Sequence, residues 1–220
     1  YAELDALGAK YNTINAIRIQ AATETVRIAL SRKNYDRAYA AALKLLADPE
    51  KDNLPNETYL GIANTMYSTD RFAEARKVFD LTLQKAAGDP RALPLALAGS
   101  AKTWLKLNQL DKAEADATKL VKEFGDNPAI IDGNLVLAKV FFDKANRTAG
   151  DQQKKLYKDA VDLANWVMQN ASGLTKAEGA MIAGNFFLSV DRDYKTALPY
   201  FLQVTFLAAG PIAEEAAYRV

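Results

Sequence analysis

Residues 71–75 read Arg71-Phe72-Ala73-Glu74-Ala75, and this arrangement of a bulky residue followed three positions later by alanine occurs five times along the chain. The bulky residues, called the anchors here, are Tyr35, Phe72, Leu110, Tyr157 and Tyr194. They are separated by 37, 38, 47 and 37 residues, so only the third interval carries an insertion. Because self-similarity at a fixed period is the signature of repeat architectures, the chain is interpreted as five repeats.

Apolar residues on both sides of an anchor have the spacing of one face of an α-helix. Around Phe72 they recur at Ala63 and Met66 before the anchor, and at Ala75 and Phe79 after it. A residue that favours a helix end is followed by proline between repeats, at Asp89-Pro90, Asn127-Pro128 and Gly210-Pro211. Each repeat is therefore predicted to be a helix hairpin, with helix A before the anchor and helix B starting at it.

The alanine after each anchor has a physical role, because two helices of a hairpin can cross closely only where one side chain is nearly absent. Each hairpin would expose an apolar face when alone and bury it by stacking on its neighbours. The pattern thus predicts an array of hairpins rather than a bundle around one centre.

The predicted A helices lie near 15–33, 56–69, 94–107, 128–145 and 174–190, and the B helices near 35–47, 71–87, 109–125, 154–171 and 193–209. They form one repeat domain over 1–220, with repeats at about 15–50, 55–88, 91–126, 128–172 and 174–210 and a further helix starting within 211–220. The polar insertion Lys144 to Lys155 is expected to be a solvent loop, with a lengthened hairpin as the alternative. Thr175 and Glu178 have capping-box spacing, and Pro199 predicts a kink in the last B helix.

The chain contains no cysteine and no histidine, which excludes disulfides, thiolate or imidazole metal ligands and nucleophile–histidine pairs. No Walker A loop or nucleophile elbow is present. Five carboxylates beside the anchors are expected to face solvent, namely Glu74, Asp111, Glu114, Asp116 and Asp159. Asp193 precedes an anchor and is expected to cap a helix. We therefore expect no catalytic activity, no metal and no cofactor.

Charge is balanced, with 28 Lys and Arg against 27 Asp and Glu and a net charge of +1. Such a chain has no whole-molecule field to attract nucleic acid or an anionic membrane. It also lacks an uninterrupted apolar run of about 18 residues, the length of a transmembrane helix. Neither nucleic-acid binding nor a transmembrane segment is expected.

The repeats resemble the tetratricopeptide repeat (TPR) family. The second repeat has the expected residue types at Tyr59, Ile62, Ala63, Tyr67, Phe72, Ala75 and Phe79, and the third at Ala101, Trp104, Leu110, Ala113 and Ala117. Ala63 and Asp70 stand where the family usually has glycine, and the interval exceeds the usual length of about 34 residues. The resemblance implies an all-α fold, a right-handed α-α superhelix of about five helix hairpins. Other helical solenoids with repeats near 40 residues remain the alternative.

The resemblance also implies a non-catalytic scaffold or adaptor, in which the A helices build a concave wall that receives a segment of a partner protein. Equivalent outward positions place Arg27, Asn64, Lys102 and Lys139, with Lys106 one turn beyond Lys102, in a polar, mostly basic stripe along that wall. Ordinary solvated helix surface is the alternative interpretation of these residues. Tyr67, Leu105 and Phe186, together with Leu60, would lie beside it, with burial in the core as an equal alternative. An acidic protein or peptide segment is the expected partner.

The long repeat interval is similar to that of bacterial cell-envelope TPR proteins, so the bacterial periplasm or envelope is the expected location. The cytoplasm is the alternative, with a role as a TPR adaptor or co-chaperone. A self-assembling structural module is a further alternative function, and the oligomeric state stays open.

Overall fold

The structure is a computed structural model that describes residues 17, 19–29, 31–47 and 54–220. Regular secondary structure among these residues is helical, and no β-strand occurs within them. Helix α1 lies within 17–31, where 18 and 30 fall outside the described set. The other helices are α2 (Tyr35–Leu46), α3 (Asn56–Ser68), α4 (Phe72–Lys85), α5 (Ala92–Lys106), α6 (Leu110–Glu123), α7 (Ile130–Asn146), α8 (Gly150–Asn170), α9 (Gly173–Ser189), α10 (Tyr194–Leu207) and α11 (Pro211–Arg219).

Helices at the A and B positions alternate along the described chain, and α11 begins a sixth pair. Their bounds agree with the prediction to within a few residues: the B helix expected near 71–87 is α4, Phe72–Lys85, and the A helix expected near 128–145 is α7, Ile130–Asn146. Residues 15 and 16 of the first predicted helix lie outside the described residues. Consecutive helices pack on each other from α2 to α4 and from α6 to α11, and α7 also contacts α9, the next A helix. The predicted hairpins and the additional last helix are confirmed.

Four of the hairpin turns share a left-handed backbone conformation two residues before the anchor. The residues are Lys33 (φ 54°), Asp70 (φ 58°), Asn108 (φ 56°) and Arg192 (φ 56°). The next residue closes the turn: the Arg71 N–H donates to the Met66 carbonyl, and the Gln109 N–H to the Trp104 carbonyl, each at 2.9 Å. This is the bond pattern that ends many helices and usually employs glycine. The turn geometry is therefore kept although none of these four residues is glycine.

The alanines three residues after the anchors are the constant packing element. Ala38, Ala75, Ala113 and Ala160 are 0% exposed and Ala197 is 2% exposed. The anchors themselves differ, since Tyr157 is 6% exposed whereas Tyr194 is 65% exposed. The close approach of the helices at the alanine, rather than the bulky side chain before it, is what the repeats have in common.

The chain divides into two compact units, residues 1–99 and 100–220. In the first unit Tyr59, Ile62 and Phe79 are fully buried in the core between α2, α3 and α4. In the second unit separate apolar clusters follow one another along the chain: one includes Leu110 and Val140, a second Val167 and Ile182, and a third Phe201 and Ala216. Successive small cores are what stacked hairpins produce. The prediction of one domain over 1–220 stays a prediction.

Most of the polar segment from Lys144 to Lys155 is helical, and only residues 147–149 connect the two helices. Helix α7 continues to Asn146 and α8 begins at Gly150, so the segment lengthens the fourth hairpin. The Tyr157 hydroxyl donates to Asn146 Oδ1 at 2.7 Å across the junction. The loop prediction was wrong because Lys, Gln and Ala are good helix formers even in a polar segment. Although α8 has 21 residues, no described helix combines the length and hydrophobicity needed to cross a bilayer.

Of the two predicted helix N-caps, the one at Asp193 is present and the capping box at Thr175 and Glu178 is not. Asp193 is confirmed as the N-cap of α10, because its side chain accepts from the Thr196 N–H at 3.2 Å. The capping box at Thr175 and Glu178 was wrong: α9 begins at Gly173, its described N-cap makes no side-chain hydrogen bond, and Glu178 accepts from a lysine of another helix. Helix α10 runs through Pro199 without a break. The kink there stays a prediction.

Candidate functional site

The residues predicted to contact a partner all lie on A helices. They are Arg27 on α1, Asn64 and Tyr67 on α3, Lys102, Leu105 and Lys106 on α5, Lys139 on α7 and Phe186 on α9. Four of them, Arg27, Asn64, Lys102 and Phe186, lie eight residues before their anchors. The first three of the whole set belong to the unit 1–99 and the other five to the unit 100–220.

In the unit 100–220, two lysines of the set reach across to the next A helix. Lys102 Nζ donates to Asp132 Oδ2 at 2.9 Å, and Lys139 Nζ donates to Glu178 Oε1 at 2.9 Å. The four side chains keep about a third of their surface exposed. The two ion pairs link α5 to α7 and α7 to α9. They also offset part of the positive charge that the sequence predicted for this stripe.

Leu105 and Phe186 are half-buried. Leu105 packs beside the buried cluster that contains Val136 and Val140. The Phe186 ring lies 5.8 Å from the Tyr157 ring and 5.2 Å from the Phe187 ring, measured between centroids. Both side chains therefore contribute to packing while part of each remains accessible. Lys106, one turn after Lys102, is exposed.

In the unit 1–99, Arg27 is exposed and forms an ion pair with Glu24, one turn earlier on α1, at 2.7 Å. The hydrogen bond to Glu24 raises the pKa of Arg27. Asn64 is exposed, and the half-buried Tyr67 ring stands edge-on to the Phe72 ring at 5.4 Å between centroids. These three residues thus differ in accessibility, and Tyr67 has a packing role as well.

A small apolar pocket of about 260 Å³ adjoins Arg27. It lies between α1, α2 and α3 and is lined by Thr23, Val26, Arg27, Leu45, Glu57, Thr58, Gly61 and Ile62. A Cβ atom at Gly61 would meet no described atom within 4 Å. The volume is below the roughly 300–1,000 Å³ of small-molecule sites, so it suits a single side chain. Leu60, also considered for the wall, is 6% exposed and belongs to the core.

A polar cavity of about 650 Å³, which the sequence did not predict, lies where the α5–α6 turn meets the junction of α7 and α8. Lys144 Nζ donates to Glu114 Oε2 at 2.6 Å and also contacts Asp111. The hydrogen bond from Lys144 to Asp111 and the Lys144 charge lower the pKa of Asp111. Arg147 donates to Asn108 Oδ1 at 2.8 Å. Cations of the fourth hairpin therefore bind the turn of the third hairpin.

Of the five carboxylates beside the anchors, Asp111 is exposed, and Glu74, Glu114, Asp116 and Asp159 are half-buried. The Asp111 side chain is 92% exposed, as predicted, but that of Glu114 is 34% exposed. Glu74 accepts from the Tyr39 hydroxyl at 2.6 Å, and Asp116 accepts from the Ser100 hydroxyl. The expectation that these carboxylates face solvent holds for Asp111, whereas Glu74, Glu114 and Asp116 accept hydrogen bonds from other helices, which the spacing within one helix does not reveal.

No protein-family model and no curated protein matches the sequence. The similarity lies in the structure: a thermophilic TPR protein of Thermus thermophilus aligns with a TM-score of 0.62 at 18% identity, over 74% of this chain and 82% of that one. The chain has the fold of a TPR protein.

Two further solved structures share this TPR-like fold. The TPR-like repeats of a kinesin light chain from Podosopora anserina align with a TM-score of 0.60 at 12% identity, over 86% of this chain and 94% of that one. BtubC from P. vanneervenii aligns with a TM-score of 0.50 at 16% identity, over 86% and 71%. The predicted TPR resemblance and all-helical solenoid are thereby confirmed. TPR-like repeats typically serve as protein-binding scaffolds and are generally non-catalytic.

Proposed function

We propose that this chain is a non-catalytic scaffold whose A helices receive a segment of a partner protein. The observation that carries the proposal is the combination of side chains on α5. Lys102 and Lys106 lie one turn apart on one face of the helix, and the half-buried Leu105 adjoins them. Partly exposed apolar side chains beside cations supply both contact area and polar anchoring for an extended or helical segment.

The partner segment is proposed to be acidic. Cations on the A helices attract carboxylates with a moderate energy that salt reduces. Lys102 and Lys139 already hold Asp132 and Glu178, so partner carboxylates compete with these two. Within the unit 100–220 the electrostatic part of binding is consequently smaller than its three cations alone would give, and contacts with Leu105 and Phe186 supply the remainder.

We further propose that the scaffold serves an assembly in the bacterial envelope, with a cytoplasmic adaptor as the alternative. Anchor intervals of 37 and 38 residues are the observation behind this part of the proposal. Fractionation of cells that produce the epitope-tagged full-length gene product tests it directly. Recovery in the cytoplasmic fraction alone would refute an envelope location.

The test of the binding surface is a double charge reversal, Lys102→Glu with Lys106→Glu. A partner is first captured from native extract on the immobilised chain and identified, and its affinity is then measured with purified components. The double variant should bind more than about tenfold more weakly, equivalent to about 1.4 kcal/mol. Wild-type affinity should fall as the salt concentration rises.

A matched control is Lys119→Glu with Lys122→Glu, an equal charge change at exposed positions of the B helix α6. Because Lys102→Glu also places a carboxylate opposite Asp132, the single variant Lys106→Glu is measured as well, and thermal unfolding confirms that each variant is folded. Equal binding by the two double variants would exclude the proposed surface.

A further inference from the structure

The exposed face of α10 carries a large apolar side chain at every fourth residue. Tyr194 is 65% exposed, Leu198 40%, Leu202 49% and Phe206 88%, and we call this row the α10 stripe. The opposite side of the helix buries Ala197, Phe201 and Val204 in the last cluster of the core. Residues four apart lie above one another with a drift of about 40° per step. The stripe is therefore a continuous apolar ridge on the outer side of the last hairpin.

Three of the four other B helices, α4, α6 and α8, do not carry this ridge to its end, whereas for α2 the third and fourth positions are Leu43 and Ala47. The third and fourth positions of the same row are Asp80 and Gln84 in α4, Thr118 and Lys122 in α6, and Asn165 and Gln169 in α8. These are the polar residues expected on the solvent face of an amphipathic helix. Helix α10 instead presents Leu202 and Phe206, so burial within a hairpin does not account for them. A contiguous exposed apolar surface of this kind marks an interaction site.

The stripe is palindromic: it reads aromatic, leucine, leucine, aromatic. A two-fold axis between Leu198 and Leu202 would set two copies of α10 antiparallel. Leu198 of one copy would then meet Leu202 of the other, and Tyr194 would meet Phe206. A two-fold interface uses the same patch on both subunits. Rows of residues four apart on two helices interdigitate in the commonest class of helix packing, with axes crossing at about −50°.

Charge also favours a second copy as the occupant. Helix α10 contains one charged residue, Lys195, near its first turn. In the antiparallel arrangement the two Lys195 side chains lie at opposite ends of the contact, so like charges do not meet. Depletion of charged residues is the compositional mark of the centre of a protein interface.

We propose that the α10 stripe is a homodimerisation surface that pairs antiparallel with the stripe of a second copy of this chain. The helix has 14 residues and is about 21 Å long and about 10 Å wide. The stripe therefore offers roughly 200 Å², which is less than the about 800 Å² per partner of a standard interface. The dimer is accordingly weak, in the micromolar range or weaker. Because α9 packs on the side of α10 opposite the stripe, the second copy would not cover α9. The dimer would present two copies of α9, which raises avidity for a partner with repeated segments.

Sedimentation equilibrium of the 220-residue chain from about 5 to 500 µM tests the proposal. The average mass of the wild type should rise with concentration from the monomer mass of 24.1 kDa. Leu202→Glu and Leu198→Lys should each weaken association by more than about tenfold, since each puts a charge against leucine. An equimolar mixture of the two variants should recover the dimer, because the introduced carboxylate and ammonium then face each other.

Leu174→Glu is the matched control, since Leu174 is 58% exposed on α9 and lies outside the stripe. This variant should associate like the wild type. A wild type that stays monomeric throughout, or association that survives Leu202→Glu, would overturn the proposal. A folded mixture of Leu202→Glu and Leu198→Lys that stays monomeric would overturn the antiparallel pairing. The measurement is independent of the binding test at Lys102 and Lys106, so the two proposals can fail separately.

Discussion

Lys139 on α7 donates a 2.9 Å hydrogen bond to Glu178 on α9 and so connects one A helix directly to the next. Lys102, which precedes Lys139 by 37 residues, makes the corresponding bond from α5 to Asp132 at 2.9 Å. Helices α7 and α9 also touch without an intervening B helix. The ion pairs therefore help to set the spacing between hairpins on the side where the proposed partner would bind.

The coupling between Lys139 and Glu178 can be measured with a double-mutant cycle of Lys139→Met and Glu178→Gln. Because both side chains are about a third exposed, we expect a coupling energy of about 0.5–1 kcal/mol that decreases with salt. Chemical denaturation measures it. The Lys154–Asp151 pair, at 3.7 Å with nearly full exposure of both side chains, is the control and should give almost none. Equal coupling in the two cycles would show that the contact between A helices adds nothing.

Replacing the buried alanine of a repeat with a larger residue should destabilise the fold. Ala113 is 0% exposed on α6, and Ala113→Leu should destabilise the fold by about 1–3 kcal/mol because it forces the hairpin helices apart. Ala115→Leu, two residues further on the same helix but exposed, should change stability by less than about 0.5 kcal/mol. Urea midpoints distinguish the two variants. A similar midpoint for both would contradict the role assigned to the alanine.

Replacing a residue of the left-handed turns with glycine should stabilise the folded protein. Arg192 has φ 56°, a conformation that costs an L-residue about 1–2 kcal/mol, whereas glycine adopts it readily. After the entropy cost of glycine in the unfolded chain, Arg192→Gly should stabilise by about 0.5–1 kcal/mol. Arg192→Ala removes the same side chain but keeps the strain and should not stabilise. A thermal unfolding midpoint that rises for alanine as much as for glycine would assign the effect to the arginine side chain instead.

The cap at Asp193 should make the last hairpin sensitive to acid. Hydrogen bonds from the Thr196 hydroxyl and N–H lower the pKa of Asp193. A carboxyl whose pKa is lower in the folded state stabilises it at neutral pH and loses that effect as the pH falls through the folded-state pKa. The difference in melting temperature between wild type and Asp193→Ala should therefore shrink below the ordinary Asp pKa of about 3.9. Asp193→Asn retains a capping side chain without ionisation, and its gap to Asp193→Ala should not depend on pH.

Helix positions and the buried alanines could be predicted because both follow from short-range spacing. Phe72 and Ala75 specify their helix through neighbours three and four residues away, and Asp193 caps a helix that starts at the next residue. Predictions were wrong where a residue distant in sequence binds the side chain in question. Thr175 and Glu178 have the right spacing for a capping box, but Glu178 is engaged by Lys139 from another hairpin.

The contacts between hairpins could not be predicted from the repeat either. Asp132 precedes Lys139 by seven residues, whereas Glu178 precedes Phe186, the counterpart of Lys102 in the last repeat, by eight. Aligning the repeats consequently does not place the two carboxylates at one position. Lys144 and its partner Glu114 likewise meet only because the lengthened fourth hairpin brings the end of α7 over the start of α6.

The sequential packing of α7 to α11 has a mechanical consequence. Since each of these helices contacts mainly its neighbours in sequence, tension applied at the carboxyl end would peel the unit 100–220 from that end instead of rupturing one central core. Helix α11, with Ala216 as its single fully buried residue, would detach first. A released repeat of 37 residues spans roughly 120–130 Å when extended. The unit would therefore act as an extensible tether that lengthens stepwise under load and shortens again as hairpins restack.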